Sequence, residues 1–316
     1  MENNKGEIPI FYAVDDRYLP FLAVTLKSLL ENASSDYNYA IKILASNVSE
    51  SNKKKILKYE KENVKIEFVD LQYYLEKIKD KLYTRDYFTY TTYFRLFIPE
   101  LYPQYNKVIY IDSDTTVLGD ISEFYNIDLG TNLLGVVSDE SVINNEVLRE
   151  YVERVVGHVT YKNYFNAGVL LMNLDAMRKF EFQSKFLYLL ETVKFAVAQD
   201  QDYLNRLCKG RTTMISGAWN KMPIPSDVIK EEDIKLIHYN HMFKPWHFDD
   251  VLYQDYFWKY AKMTEFYEEI LSMKNEYTEQ QKFIDQKQFE ALIKLAKKET
   301  SCVGDDRRFL GEMDSR

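Results

Sequence analysis

Asp112 and Asp114 stand two residues apart where the apolar run Val108-Ile109-Tyr110-Ile111 stops. Carboxylates that close repel unless a cation shares them, and oxygen ligands suit Mg2+ or Mn2+. A turn would use the same oxygens as acceptors for backbone N–H groups. A chain of this composition holds about one or two Asp-x-Asp triplets by chance, and this one holds two, so the triplet alone serves either purpose. Its place at the end of a β-branched strand favours the metal. Downstream runs His238-Tyr239-Asn240-His241-Met242-Phe243-Lys244-Pro245-Trp246. A neutral imidazole added to two carboxylates shifts preference toward Mn2+ or another borderline metal, and Lys244 offers a point charge for phosphate. Taken alone, a His here reads first as a satisfied core residue, and Trp246 as packing.

The elements that would position these groups alternate. Ile8 to Val14 reads as a strand and Tyr18 to Leu30 as a helix with Leu22, Leu26, Leu29 and Leu30 on one face. Strands follow at Tyr39 to Ala45 and Val64 to Val69, with a Lys-rich helix from Ser51 to Lys61 between them and another helical segment after. Phe88 to Leu101 reads as helical until Pro99, then strands at Lys107 to Ile111 and Asn132 to Val137. Ala167 to Asn173 is a near-continuous apolar run, expected of a strand covered on both faces. Helices are expected over Ala176 to Phe195 and Asp200 to Cys208, and a short strand over Ile234 to Ile237. Strands separated by helices imply a mostly parallel α/β sheet, in which ligands bind beyond the carboxyl ends of the strands. Asp15, Asp112, Asp139 and His238 all fall just past such an end. From about Val251 the pattern is helical only, so residues 1–250 read as the main domain and 251–316 as a helical extension packed on it.

At 316 residues with 46% hydrophobic content, the chain can bury a large core. A formal charge of −8 argues against nucleic acid as a partner, because non-specific binding rests on phosphate neutralisation. Two cysteines, Cys208 and Cys302, are too few for a disulfide framework or a zinc cluster and fit a reducing compartment. The first residues carry no signal-peptide pattern, and no apolar run approaches the roughly 20 residues of a spanning helix. A cytoplasmic protein is expected. A peripheral contact at the inner face of the membrane stays open, without a strong basic anchor to support it.

Six blocks together resemble glycosyltransferase family 8, the group of glycogenin and bacterial lipopolysaccharide galactosyl- and glucosyltransferases. They are FYAVDDRY at 11–18, TTYFRLFIPEL at 91–101, VIYIDSDTTVLGDI at 108–121, YFNAGVLLMNL at 164–174, DQDYLN at 200–205 and HYNHMFKPW at 238–246, in the family's order. The resemblance implies a GT-A fold and a retaining hexosyltransferase that moves glucose or galactose from a UDP-sugar to a glycan or other hydroxyl acceptor. It implies Mn2+ as cofactor, with Mg2+ as substitute, held by Asp112, Asp114 and His238. Ala13, Asp15 and Tyr18 match the nucleoside block, Tyr18 suiting a stack on uracil, and Lys244 would meet the phosphates. Ser113 lies between the two metal carboxylates, at the nucleotide. Arg95, Asp139, Asn166, Ala167, Asp200 and Gln201 match positions that hold the donor sugar.

Retention requires two inversions through a covalent intermediate, or departure and attack on one face. Gln201 corresponds to the family residue nearest the anomeric carbon, with Asp200 and Asp202 flanking it as the other catalytic candidates, and same-face substitution is favoured. Two positions depart from the family. His241 stands where Gly is expected, implying a changed loop path, a side chain turned outward, or an extra phosphate contact. Arg17 stands where some relatives carry Asn. Two rival functions remain: a metal-dependent nucleotidyltransferase, and a non-catalytic nucleotide-sugar-binding protein of the same fold.

Overall fold

A computed structural model of the chain describes residues 6–71 and 90–303. The helical segment expected after Val69 and the first two residues of the 88–101 stretch lie outside these. Seven strands form the main sheet: β1 (Glu7–Asp15), β2 (Asn38–Ser46), β3 (Val64–Asp70), β4 (Lys107–Ile111), β6 (Leu134–Ser138), β7 (Phe165–Asn173) and β8 (Thr212–Met214). Their order is β3-β2-β1-β4-β7-β6-β8. Two three-residue strands, β5 (Thr115–Val117) and β9 (Leu236–His238), pair separately.

Strands β3, β2, β1 and β4 are parallel, as the alternation of strands and helices predicts. β7 runs antiparallel to both β4 and β6. Its apolar run reports that both faces are covered, which a direction reversal leaves unchanged, so hydropathy carries no trace of the reversal. Alternation distributes the strands between two cores. β4 sends Ile109 and Ile111 to one layer, against the Leu19–Asn32 helix, and Val108 and Tyr110 to the other.

Pro99 starts an α-helix where the sequence reading ended one. Residues Tyr90–Phe97 form a 3-10 segment, and Pro99 occupies the first turn of the Ile98–Leu101 helix, where its missing N–H costs nothing. The single helix expected over 176–195 is two, Leu174–Lys179 and Phe182–Thr192, broken at Glu181 with φ +56°. After β9 the described elements are helices: Gln254–Ala261 and Tyr267–Glu276 bury Phe257, Tyr260 and Ile270 in the first layer, while Glu279–Cys302 buries Leu292 and Ala296 in the second. Among the described residues no helix is long and apolar enough to cross a membrane. Both cysteines are free thiols.

Candidate active site

One pocket opens at the carboxyl ends of β1, β4 and β6. Its wall includes Ala13, Asp15 and Tyr18 from β1 and the turn after it, and Ser113 and Asp114 from the turn after β4. Arg95, Asp112, Asp139, Asn166, Ala167, Asp200, Gln201, His238 and Lys244 complete the set of expected residues that reach it.

The pairing of β5 with β9 sets Thr115 opposite His238, which brings a residue from late in the chain beside Asp114. The Leu19–Asn32 helix fixes the other side of that turn. Thr25 Oγ1 lies 2.8 Å from the carbonyl oxygens of both Ser113 and Thr115, and Ser28 Oγ accepts the Val117 N–H at 2.9 Å. His238 Nε2 then sits 3.2 Å from Asp114 Oδ1 and 3.9 Å from Asp112 Oδ2. One ligand atom from each of the three residues lies within 4.8 Å of the others. Asp112 divides its oxygens: Oδ1 takes Tyr110 OH at 2.8 Å and the Arg95 guanidinium at 3.0 Å, while Oδ2 is the one turned to His238. Two carboxylates and an imidazole converging at these distances could hold a divalent cation. Gly168 makes room for them, since a Cβ there would lie 2.2 Å from His238 Cε1 and 2.8 Å from Asp112 Oδ2.

Lys244 places its ammonium against Asp114 and the Tyr239 carbonyl. Burial alone would raise the Asp114 carboxyl, but Lys244 and His238 outweigh it and hold it well below the usual carboxylate range. Arg95 is a buried hub. Its guanidinium meets Asp112, Asp200 and the Ala167 carbonyl, and lies 4.4 Å from the Tyr110 ring centroid. Asp200 titrates the other way from Asp114: burial pushes it up to about 7, with Arg95 opposing and Asp112 reinforcing.

Around Gln201 every polar atom has a partner. Its Oε1 accepts from Ala167 N at 3.0 Å and Asn166 Nδ2 at 3.3 Å, and its Nε2 donates to Asp139 Oδ2 at 3.0 Å and Tyr164 OH at 3.2 Å. Asp139 uses its second oxygen to cap the Glu140–Ile143 helix, accepting from Ser141 N and Val142 N. Asp202 does not fit the catalytic place expected of it. It does not line the pocket; its buried carboxylate takes Tyr164 OH at 2.7 Å, Tyr151 OH at 2.8 Å and Ala198 N at 2.9 Å, all from residues of the wall. Three donors on one buried carboxylate make an anchor for the loop and helix that carry Gln201.

His241 lies in the left-handed region that favours glycine, with φ +59°. Its side chain turns across the pocket, not outward: Nε2 sits 2.7 Å from Ser141 Oγ. Burial lowers its pKa. Arg17 is exposed and pairs at 2.7 Å with Asp15, whose Oδ1 accepts the Arg17 and Tyr18 N–H groups. Trp246 is packing, stacked 3.7 Å from Phe21. Tyr110, Thr25, Tyr164, Gly168 and Asn220 are site residues that sequence reasoning missed. Tyr110 had a signal, since it precedes Asp112 by two and shares its strand face.

The chain is an α/β protein with an acidic pocket beyond the carboxyl ends of its central strands. The sequence profile described as Glycosyl transferase family 8 matches residues 9–250, and the chain belongs to that family. It is 29% identical over 250 residues to a putative glycosyltransferase of Haemophilus influenzae, covering 75% of this chain and 72% of that one. It is 27% identical over 262 residues to the lipopolysaccharide 1,2-glucosyltransferase of Escherichia coli, covering 78% and 74%. The structure of the galactosyltransferase LgtC in complex with donor and acceptor sugar analogues superimposes with a TM-score of 0.66 and 27% identity, over 82% of this chain and 96% of that one. The GT-A architecture expected from sequence is the observed one.

Proposed function

We propose that the chain transfers glucose or galactose from a UDP-sugar to a carbohydrate hydroxyl, with retention of configuration and with Mn2+ held by Asp112, Asp114 and His238. The convergence of those three ligands in the pocket that also holds Arg95, Asp139, Asn166 and Gln201 carries this reading. The named activities of the relatives, a lipopolysaccharide glucosyltransferase and a galactosyltransferase, support a hexose and a glycan acceptor. When bound, the metal would neutralise charge on the departing diphosphate. Lys244, already beside Asp114, supplies a second positive charge for the same phosphates. Tyr18 offers a ring for the base and Ser113 a polar contact beside the nucleotide.

Gln201 faces the donor sugar. Its carbonyl oxygen already accepts two N–H groups, which leaves no free lone pair for attack on an anomeric carbon. Asp200 lies 3.1 Å from Arg95 Nε, and burial pushes its carboxyl up to about 7, which makes it a poor nucleophile. Both observations favour departure and attack on one face over a covalent intermediate.

The test is UDP release from UDP-glucose and UDP-galactose with Mn2+, water or a glycan serving as acceptor, followed by the anomeric configuration of the product. UDP release with retained configuration is expected. Release of hexose 1-phosphate with transfer of the uridylyl group would replace this reading with nucleotidyl transfer, and binding without turnover on any acceptor would leave only a binding protein.

A further inference from the structure

Asn220 sits buried between the metal ligands and the residues facing the donor sugar, and it belongs to neither set. Its position is fixed by backbone. Lys221 N donates to Leu236 O, and His238 N donates to Lys221 O, both at 2.9 Å, which holds residue 220 beside β9. The buried Lys221 ammonium also pairs with Glu140 at 2.9 Å, next to Asp139.

The direction of each hydrogen bond follows from one unambiguous donor. The Gly168 backbone N–H donates to Asn166 Oδ1 at 2.9 Å, so Oδ1 is the acceptor end of that amide. Asn166 Nδ2 donates to Asp139 Oδ2 at 3.2 Å and to Gln201 Oε1 at 3.3 Å. Asn220 must therefore present Nδ2 to Asn166 Oδ1, at 3.0 Å. Its own Oδ1 is then the atom 3.0 Å from His238 Nδ1, and an acceptor there requires the proton on Nδ1. In the neutral ring, the form that ligates a metal, Nε2 then carries the lone pair and faces Asp114 and Asp112.

We infer that Asn220 is a positioning residue: it locks His238 in the tautomer that can ligate a metal through Nε2, and it couples that ligand through Asn166 to Gln201 and Asp139. The coupling rests on the proposed metal-dependent sugar transfer. A metal-binding imidazole is ordinarily oriented by an acceptor on its other nitrogen, and losing that acceptor costs about 10–100-fold in metal affinity. Here a neutral amide plays the part. It can serve two masters because its NH2 end is free to grip the sugar side.

Mn2+ binding, read from the electron paramagnetic resonance signal of the free ion in the presence of UDP, tests this in three proteins. Asn220→Ala should weaken Mn2+ binding by about 10–100-fold. Asn220→Asp retains an acceptor for Nδ1–H and should bind Mn2+ within a few-fold of the unaltered protein. It should nevertheless melt no higher than Asn220→Ala, because its second oxygen faces the Asn166 carbonyl without a proton. A residue that only supports the fold would give metal affinities in the order of the melting temperatures. Unchanged Mn2+ binding in Asn220→Ala, or equal losses in both variants, overturns the inference. One further measurement needs no variant at position 220 to fold. In protein 15N-labelled at its four histidines and loaded with Mg2+ and UDP, the His238 ring, assigned by its loss in His238→Gln, should show Nδ1 protonated and Nε2 ligated. A proton on Nε2 overturns the inference. Unaltered protein that binds neither Mn2+ nor UDP refutes the proposed function itself, a result distinct from either.

Discussion

The two sides of the pocket are built on opposite plans. On the proposed metal side, potential ligand atoms face one another: Asp112 Oδ2, Asp114 and His238 Nε2 converge, with Lys244 beside Asp114 and Arg95 beside Asp112. On the proposed sugar side Asp139, Asn166, Gln201, Tyr164 and Asp202 pair donor with acceptor in one connected network. Concentrated lone pairs attract a cation. A saturated network gives rigidity, which fixes a substrate's orientation without competing for its chemistry. Two buried carboxylates report the contrast, since Asp114 is held below the usual range while Asp200 rises to about 7.

Substitutions can break the two sides apart. Asp114→Asn removes a proposed metal ligand and should lower UDP-sugar turnover by on the order of a thousandfold, the rate equivalent of about 4 kcal/mol of charge stabilisation. Saturating Mn2+ should not restore it. Gly168→Ala drives a methyl group into His238 and Asp112 and should weaken Mn2+ binding by about 10–100-fold, measured by titration calorimetry. Gln201→Ala should act in the other half alone. It leaves the Ala167 N–H and one Asp139 bond unmade, so stability should fall by about 1–3 kcal/mol in urea unfolding and kcat should drop, with Mn2+ affinity retained.

A pH series separates the carboxylates. Asp200 keeps its proton to about 7 in the folded chain against an ordinary 3.8, so between those values the folded state binds more protons and stability falls as pH rises. Melting temperatures of the metal-free protein should therefore decline over that window. The decline should be shallower in Asp200→Asn, with Asp202, raised to about 6 by burial, keeping part of it. Asp114 has the opposite sign, its contribution being lost only as pH drops below the ordinary carboxylate range. The smallest effect is expected from His241→Gly. The backbone already has a left-handed φ, so removing the side chain relieves strain while losing the Ser141 bond, and melting should shift by only a few degrees.

What could be read from sequence follows from how local each signal is. Strand-end carboxylates were legible because an apolar run and the polar residue that stops it are neighbours, as at Val108 to Asp114. The resemblance blocks extended this to Asn166 and Gln201. The place of Asp202 was out of reach because a triplet shows that two carboxylates are near, not that Asp200 lines the pocket while Asp202 bonds Tyr151 and Tyr164 from behind its wall. The direction of β7 and the role of Asn220 were out of reach, because both depend on partners far along the chain. For His241 the sequence leaves a changed loop path, an outward side chain and a phosphate contact all open, because it shows the missing glycine but neither the φ of +59° nor the partner Ser141.

The short β5–β9 pairing also has a consequence for synthesis. Asp114 and His238 are joined by a ladder of three residue pairs that closes a long loop of chain. Pairings that distant carry the cost of loop closure before they return any contact. Strands β1 to β4 can pair while the chain is still growing, yet the proposed metal cluster lacks its imidazole until His238 has been made and paired with Thr115. A growing or truncated chain can thus hold much of the sheet without the complete ligand set, so metal loading reports a finished fold.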